Sequence, residues 1–297
     1  MADDTDQAKV TSAAEAYDRH VGRYGKQLAA GLIEAAGGRP GQRALDVGCG
    51  PGQLTTELAD LLGGENVAAV DPSEVFVKAC LKRVPGADVR VGTAERLPFA
   101  AGEFDAVLAQ LVVQLMEDSD AGVREMARAA RPGGVVAACV WDSNRMPLLR
   151  SFWDAALAVA PKRAGALNDR QRVGYDSPEQ LQSLWERAGL VDISTGEMLV
   201  GAEYQSFDEL FRPFEAGAGH SGACFGSLDE VNQRRLRDQA YARLGEPEER
   251  FTLTARAWWV RGLSPASWRA ETQAAISRPI PRNDPPNGHL LGVARRI

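Results

Sequence analysis

From Arg43 to Trp141 the chain alternates short apolar runs with amphipathic stretches, and this alternation constrains the fold more than any other feature. The runs Arg43–Val47, Asn66–Val70, Ala87–Val91, Phe104–Gln110 and Val135–Trp141 read as strands. The stretches between them, Gln53–Leu62, Ser73–Val84 and Asp120–Ala130, read as helices, the last stopping at Arg131-Pro132-Gly133-Gly134. Strands separated by helices must pair in parallel, with helices on both faces of the sheet. Strands buried on both faces should be almost continuously apolar, as Val67–Val70 and Val135–Val140 are. The expectation is an α/β, doubly wound sheet. Ligands of such sheets bind beyond the carboxyl ends of the strands.

Outside this core the pattern is less regular. Thr11–Gly38 has helical periodicity. Pro147–Ala160 and Ser177–Ala188 read as helices, Leu190–Leu199 as a strand, Ser206–Phe214 and Ser227–Leu244 as helices, and Phe251–Val260 as a last strand. The expected organisation is one domain over 11–262, with a helical insertion at 200–250, and an irregular proline-rich tail at 263–297. Ala216–Gly222, rich in glycine, is expected to be a mobile loop.

Bulk properties narrow the function classes. The 297 residues carry a formal net charge of -6, and the Arg234/Arg235/Arg237 cluster is flanked by Asp229, Glu230 and Asp238. That argues against a phosphate backbone as partner. Cys49, Cys80, Cys139 and Cys224 have no metal-ligand spacing and sit among apolar or small residues, so no metal is expected and buried thiols are. No run approaches the roughly 20 apolar residues that span a bilayer. The N-terminal residues have no apolar signal core, so the expected compartment is the cytoplasm. A homodimer is one assembly open to such a chain.

The chemistry centres on Leu45-Asp46-Val47-Gly48-Cys49-Gly50-Pro51-Gly52, where the first strand hands over to its helix. Glycines at alternate positions allow a sharp turn and the close approach of a ligand. The free N–H groups of the following helix face the same space, which suits a nucleotide or nucleoside. A dinucleotide fingerprint needs a third glycine where Gln53 stands. The G-x-G-x-G spacing, with an acid two residues before it, favours instead a ligand bearing an amine and a carboxylate. Asp71, directly after the second strand, suits a ribose diol. Gly92–Phe99, after the third strand, places Glu95 to reach an adenine amino group and Ala94 to supply a backbone donor.

Together these segments resemble the class I S-adenosylmethionine-dependent methyltransferases, in particular the branch of ubiquinone/menaquinone-biosynthesis methyltransferases. The resemblance runs from about Tyr17 to Gly262, through Leu45–Thr55, Val70–Ser73, Gly92–Phe99, Phe104–Gln110, Arg131–Gly134 and Ser177–Gly189. It implies a Rossmann-like seven-stranded, mostly parallel sheet with an antiparallel last strand, and S-adenosylmethionine as cofactor. It further implies that Asp46, Gly48, Cys49, Gly50 and Gly52 surround the methionine part, with Gln110 and Leu111 nearby. Asp71 and Pro72 would meet the ribose, Ala94 and Glu95 the adenine, and Arg23 or Tyr24, on an N-terminal helix closing over the cofactor, its carboxylate. Gln110–Gln114 lacks the histidine that many relatives carry after the fourth strand.

The expected reaction is methyl transfer to an O, N or C atom of a small molecule. Such transfer rests mainly on alignment, and needs a base only if the acceptor must lose a proton. His220, in the glycine-rich segment, is the best candidate for one, with His20 second; His289 is set aside. Trp141, Phe152, Trp153, Phe211, Phe214 and Phe225 are candidates for a substrate wall, although such spacing also describes a plain core. Two alternatives stand beside this reading: a protein or cyclase that binds the cofactor without transferring its methyl, and an NAD-linked oxidoreductase.

Overall fold

The computed structural model describes residues 21–168, 174–217 and 219–266. After a 3-10 turn at Val21–Tyr24 the elements are α1 (Gly25–Ala35), β1 (Ala44–Val47), α2 (Gln53–Leu62), β2 (Val67–Asp71), α3 (Glu74–Arg83), β3 (Asp88–Val91), β4 (Phe104–Gln110), α4 (Ser119–Ala129) and β5 (Ala130–Trp141). There follow α5 (Pro147–Val159), α6 (Pro161–Leu167), α7 (Pro178–Arg187), β6 (Val191–Tyr204), α8 (Phe207–Glu215), α9 (Gly219–Gly226), α10 (Glu230–Arg243) and β7 (Phe251–Leu263). The sheet has seven strands in the order β3-β2-β1-β4-β5-β7-β6. All run parallel except β7, which is antiparallel to both of its neighbours. The expected α/β architecture is therefore present, with its last strand reversed.

The strand order reverses between β1 and β4, and the crevice at that point opens past their carboxyl ends. The central strands β1 and β2 are buried at every residue, as helices on both faces require. One apolar cluster lies under α1, α2 and the helices between β6 and β7; the other lies under α4 and α7. Local chemistry sets the helix starts. Ser73, Asp118, Ser177, Ser206 and Asp229 each cap a helix by accepting a backbone N–H from the first turn.

Differences from the sequence reading are concentrated in the second half. β6 continues past Leu199 to Tyr204, and β7 extends to Leu263. Trp141 at the end of β5 pairs with Ala257, so 199–204 and 251–256 form a two-stranded ribbon projecting beyond the carboxyl edge of β5. Helices α8, α9 and α10 occupy the connection between the ribbon strands. Of the expected loop, Gly219–Gly222 instead form the first turn of α9, because Ser221, Gly222, Cys224 and Phe225 are buried. Tertiary burial outweighs the poor helix propensity of the glycines there. Residues 11–20 and the tail beyond 266 lie outside the described residues.

Candidate functional site

The glycine turn is built from inside the protein. The N–H groups of Gly48 and Cys49 donate to Val70 O at 2.8 and 3.0 Å, and that of Gly50 donates to Asp71 Oδ2 at 2.9 Å. The turn's own donors are thus bound to β2. It offers a ligand carbonyl oxygen and open space, an arrangement that suits a cationic amine better than a pyrophosphate. Gly48, Gly50 and Gly52 have φ of 71°, 53° and 94°. A Cβ on Gly48 would lie 2.5 Å from Val112 and one on Gly52 2.8 Å from the Cys80 sulfur, whereas one on Gly50 would meet nothing within 4 Å. Gly48 and Gly52 therefore serve packing, and Gly50 keeps the cleft open.

Asp46 lies beneath the turn, 1% exposed, and does not line the cleft. Its Oδ2 accepts from Thr55 Oγ1 at 2.7 Å, while Oδ1 is buried without a hydrogen bond. Burial pushes its carboxyl up to about 7; the Thr55 bonds oppose this and the nearby Asp71 charge adds to it. Cys49 is also buried, and its shared hydrogen bond with Cys80, together with desolvation, holds its thiol well above the ordinary range.

A cleft of about 330 Å³ lies against Gly48 and Gly50. Asp71 and Pro72 at the end of β2, Ala94 and Glu95 after β3, and Gln110 and Leu111 after β4 all line it, so with the two glycines eight of the residues singled out by sequence meet there. Asp71 accepts Gly50 N through Oδ2 and Ser73 N through Oδ1, both at 2.9 Å. Each oxygen keeps lone-pair capacity for a hydroxyl. Desolvation raises the pKa of Asp71 against these two bonds. Glu95 Oε1 accepts from Glu117 N at 2.9 Å and Asp118 N at 3.3 Å. Although desolvation acts to raise its pKa, bonds from backbone N–H groups and Thr93 hold it below the ordinary range. Leu111 has φ of 61° and donates its N–H to Cys139 O at 2.9 Å, a left-handed backbone stored at the cleft wall.

Sequence reasoning missed part of the cleft wall. Phe76, Val112, Leu115, Met116 and Glu117 also line the cleft, and Leu115 is 70% exposed. The apolar spacing of Leu111–Met116 was visible, but its position depends on the turn after β4.

Other candidates are placed elsewhere. Arg23 donates to Glu203 O at 2.9 Å, pairs with Glu209 at 2.6 Å and lies 4.8 Å from the centre of the Tyr204 ring. Tyr24 is fully buried, edge-on to Trp141 with centroids 5.4 Å apart. The segment they belong to does cross the site: Gln53 Nε2 donates to Gly22 O at 2.9 Å and Gln110 Nε2 to Gly25 O at 3.3 Å. His220 is exposed in the first turn of α9 and is not among the residues lining the cleft. His20 lies outside the described residues. Phe152, Phe211, Phe214 and Phe225 are buried against one another at 4.5–6.4 Å, which makes them core rather than substrate wall.

The residues present fit S-adenosylmethionine. Asp71 offers acceptors to a diol, Pro72, Phe76, Ala94 and Met116 offer apolar surface to a base, and the turn offers acceptors beside Gln110. Known proteins agree with this geometry. A family model described as a methyltransferase domain matches residues 45–138. Demethylmenaquinone methyltransferase of Beutenbergia cavernae is 40% identical over 102 residues, which are 34% of this chain and 42% of that protein. The enzyme of the same name from Mycolicibacterium paratuberculosis is 31% identical over 58% of this chain and 74% of its own length. Malonyl-[acyl-carrier protein] O-methyltransferases match too, over 56% of their length, so the chain spans only about half of several of these relatives. The YcgJ protein of Bacillus subtilis shares the fold, with TM-score 0.52 and 17% identity over 80% of this chain and 98% of that one. These matches leave no room for the NAD-linked alternative, whose fingerprint the chain already lacked at Gln53. The chain belongs to the class I S-adenosylmethionine-dependent methyltransferases, on the branch that includes the ubiquinone/menaquinone-biosynthesis methyltransferases.

Proposed function

We propose that this chain transfers a methyl group from S-adenosylmethionine to an O, N or C atom of a small-molecule acceptor. The observation that carries the reading is the cleft at the reversal of strand order, where a turn with its N–H groups already bound meets the partly free carboxylate of Asp71. In this reading Asp71 and Pro72 hold the ribose, and Ala94 and Glu95 flank the adenine. Gly48, Gly50, Gln110 and Leu111 border the methionine end. Asp46 acts from below, through Thr55 and the start of α2. The chemistry supplied by the bound cofactor is a methyl group already made electrophilic by its sulfonium centre. What the protein must add is alignment, worth several kcal/mol, and exclusion of water.

The ionisable residues lining the cleft, among those described, are Asp71, Glu95 and Glu117. Asp71 and Glu95 are engaged by backbone N–H groups, so neither is a ready base. Glu117 is then the carboxylate in the cleft placed to take a proton from an acceptor that must lose one. The engagement of Asp71 and Glu95 favours a second reading, a protein or cyclase that binds the cofactor without methyl transfer.

The acceptor is taken to be a small molecule rather than nucleic acid, because the chain is acidic. Of the two acceptor types in the relatives' names, we favour the quinone type over malonyl-[acyl-carrier protein], since a quinone-directed relative is matched over 74% of its length. No helix among the described residues is long and apolar enough to cross a membrane. Four buried free thiols support placement in the reducing cytoplasm. A monomer suffices for the cleft, and light scattering distinguishes it from a homodimer.

Incubation with methyl-labelled S-adenosylmethionine and a metabolite extract tests the reading. Label recovered in a small organic product, and lost with Asp71→Ala, is the expected result. Cofactor bound but returned intact would establish the second reading instead.

A further inference from the structure

The glycine turn carries a group that cofactor binding does not use. Cys49 stands within it, between Gly48 and Gly50, and Cys80 stands on α3. With Ala69 of β2 these two cysteines form a small cluster of their own, apart from both main apolar clusters. Both are buried free thiols, and they share a hydrogen bond with each other. Each sulfur also touches what shapes the turn. Cys49 Sγ lies 3.5 Å from Gly50 O, and Cys80 Sγ lies 3.5 Å from Thr55 Oγ1, the hydroxyl that donates to Asp46.

Two thiols in contact are the starting geometry of a disulfide, whose sulfurs stand about 2.05 Å apart. The hydrogen bond from Cys49 draws the Cys80 thiol below its ordinary range; desolvation opposes it and Thr55 adds to it. The thiolate is the form that reacts with an oxidant. Cys80 is therefore the attacking sulfur and Cys49 the resolving one. The Cys80 thiolate bonds to one oxygen of hydrogen peroxide and the O–O bond breaks, giving a sulfenic acid. The hydroxide released takes the proton that Cys80 gave up and leaves as water. Cys49 sulfur then displaces the sulfenic hydroxyl, which departs with the Cys49 proton as a second water. Two thiols and one peroxide become one disulfide and two waters.

We propose that Cys49 and Cys80 are a modification site, a thiol pair that a hydroperoxide oxidises to a disulfide, and that this disulfide loosens the hold of the turn on the cofactor. The consequence follows from the packing. Cys80 already fills the space beside Gly52, where a Cβ would lie 2.8 Å from its sulfur. With α3 so close, it is Cys49 that must move. Cys49 N donates to Val70 O at 3.0 Å, Cys49 O accepts from Gly52 N at 3.0 Å, and the adjacent Gly50 N donates to Asp71 at 2.9 Å. Drawing Cys49 toward α3 strains all three bonds, and the last holds the carboxylate that faces the cleft. In a reducing compartment such a disulfide is transient, which suits a regulatory signal. This regulation rests on the function proposed above and acts on the same cleft.

The test treats full-length protein with hydrogen peroxide, alkylates the remaining thiols after denaturation, and maps the digest without reduction. Two of the four cysteines are expected to escape alkylation, joined as one cross-link between the Cys49 and Cys80 peptides. Calorimetry on the oxidised protein is expected to show S-adenosylhomocysteine bound about tenfold more weakly, with dithiothreitol restoring the affinity. Cys80→Ala, which leaves the turn intact, should bind it within about twofold of wild type and lose the response to peroxide. Cys224→Ala should respond as wild type does. The map and the wild-type affinities need no variant, so a substitution that harms folding leaves the test intact. No cross-link between Cys49 and Cys80, a cross-link that leaves affinity unchanged, or a weakening that persists in Cys80→Ala would each overturn the inference. Reduced wild type that binds no S-adenosylhomocysteine would instead overturn the underlying function, and the map would still report on the thiol pair.

Discussion

The backbone N–H of Gly50 donates to Asp71 Oδ2 at 2.9 Å, tying the turn after β1 to the acid that ends β2. One carboxylate thus shapes the turn and faces the cleft that the turn borders. Asp71→Ala removes both roles. Loss of charge-assisted bonds, each worth about 1.5–3 kcal/mol, should weaken S-adenosylhomocysteine about 100-fold in calorimetry. The same variant should lower stability by about 1–3 kcal/mol in urea unfolding, because Gly50 and Ser73 lose their acceptor.

Asp46 gives a pH signature with a definite sign. Its carboxyl is raised from 3.8 to about 7 in the folded protein, so between these values the native state holds a proton that the unfolded state has released. Its contribution to stability is therefore greatest below about pH 4 and is lost as pH rises through 7. At 1.36 kcal/mol per pKa unit the whole window amounts to about 4 kcal/mol at most. The stability difference between wild type and Asp46→Asn, followed by urea unfolding from pH 4 to 8, should fall across that window. A difference that rises or stays flat would refute the assignment.

The glycines of the turn should separate by function. Gly48→Ala drives a methyl group into Val112 and strains a residue at φ 71°, so it should destabilise the fold by about 2–4 kcal/mol. Gly50→Ala faces open space and should cost only about 1–2 kcal/mol. Its methyl group projects toward the ligand, however, and S-adenosylhomocysteine should bind at least about tenfold more weakly. Paired denaturation and calorimetry on the two variants distinguish packing from binding.

The aromatic cluster beneath α8–α10 should behave as core. Phe152 stacks on Phe214 with centroids 4.5 Å apart and is fully buried. Phe152→Ala should cost about 3–5 kcal/mol. By contrast, His220→Ala, exposed on α9, should leave both Tm and cofactor affinity unchanged. A large loss of methyl transfer in His220→Ala would return it to the site.

Much of this was legible because parallel strands buried on both faces write themselves as apolar runs. Val67–Asp71 and Ala44–Val47 could be located from composition alone, and the residues just beyond them, Asp71 and Gly48–Gly52, followed from fold logic. The ribbon was less visible. Beyond Leu199, β6 contains Gly201 and Glu203, whose backbone carbonyls accept bonds from Gln27 and Arg23 on the N-terminal segment. Pairing with β7, rather than side-chain hydrophobicity, marks that part as strand. Gln53 read as a missing glycine, and its side chain proves to hold Gly22 instead. The helix at Gly219–Gly226 was hidden by its glycines, of which Gly222 sits so close to Gly217 that a Cβ would fall 2.2 Å from its carbonyl carbon. Contacts between segments distant in sequence leave no local pattern to read.

The most direct measurement is titration of purified protein with S-adenosylhomocysteine, repeated with NAD. One site per chain for the former, none for the latter, and loss of the signal in Asp71→Ala is the outcome predicted by a cleft built from Gly50 and Asp71. Absence of heat with S-adenosylhomocysteine, or binding indifferent to Asp71, would contradict it.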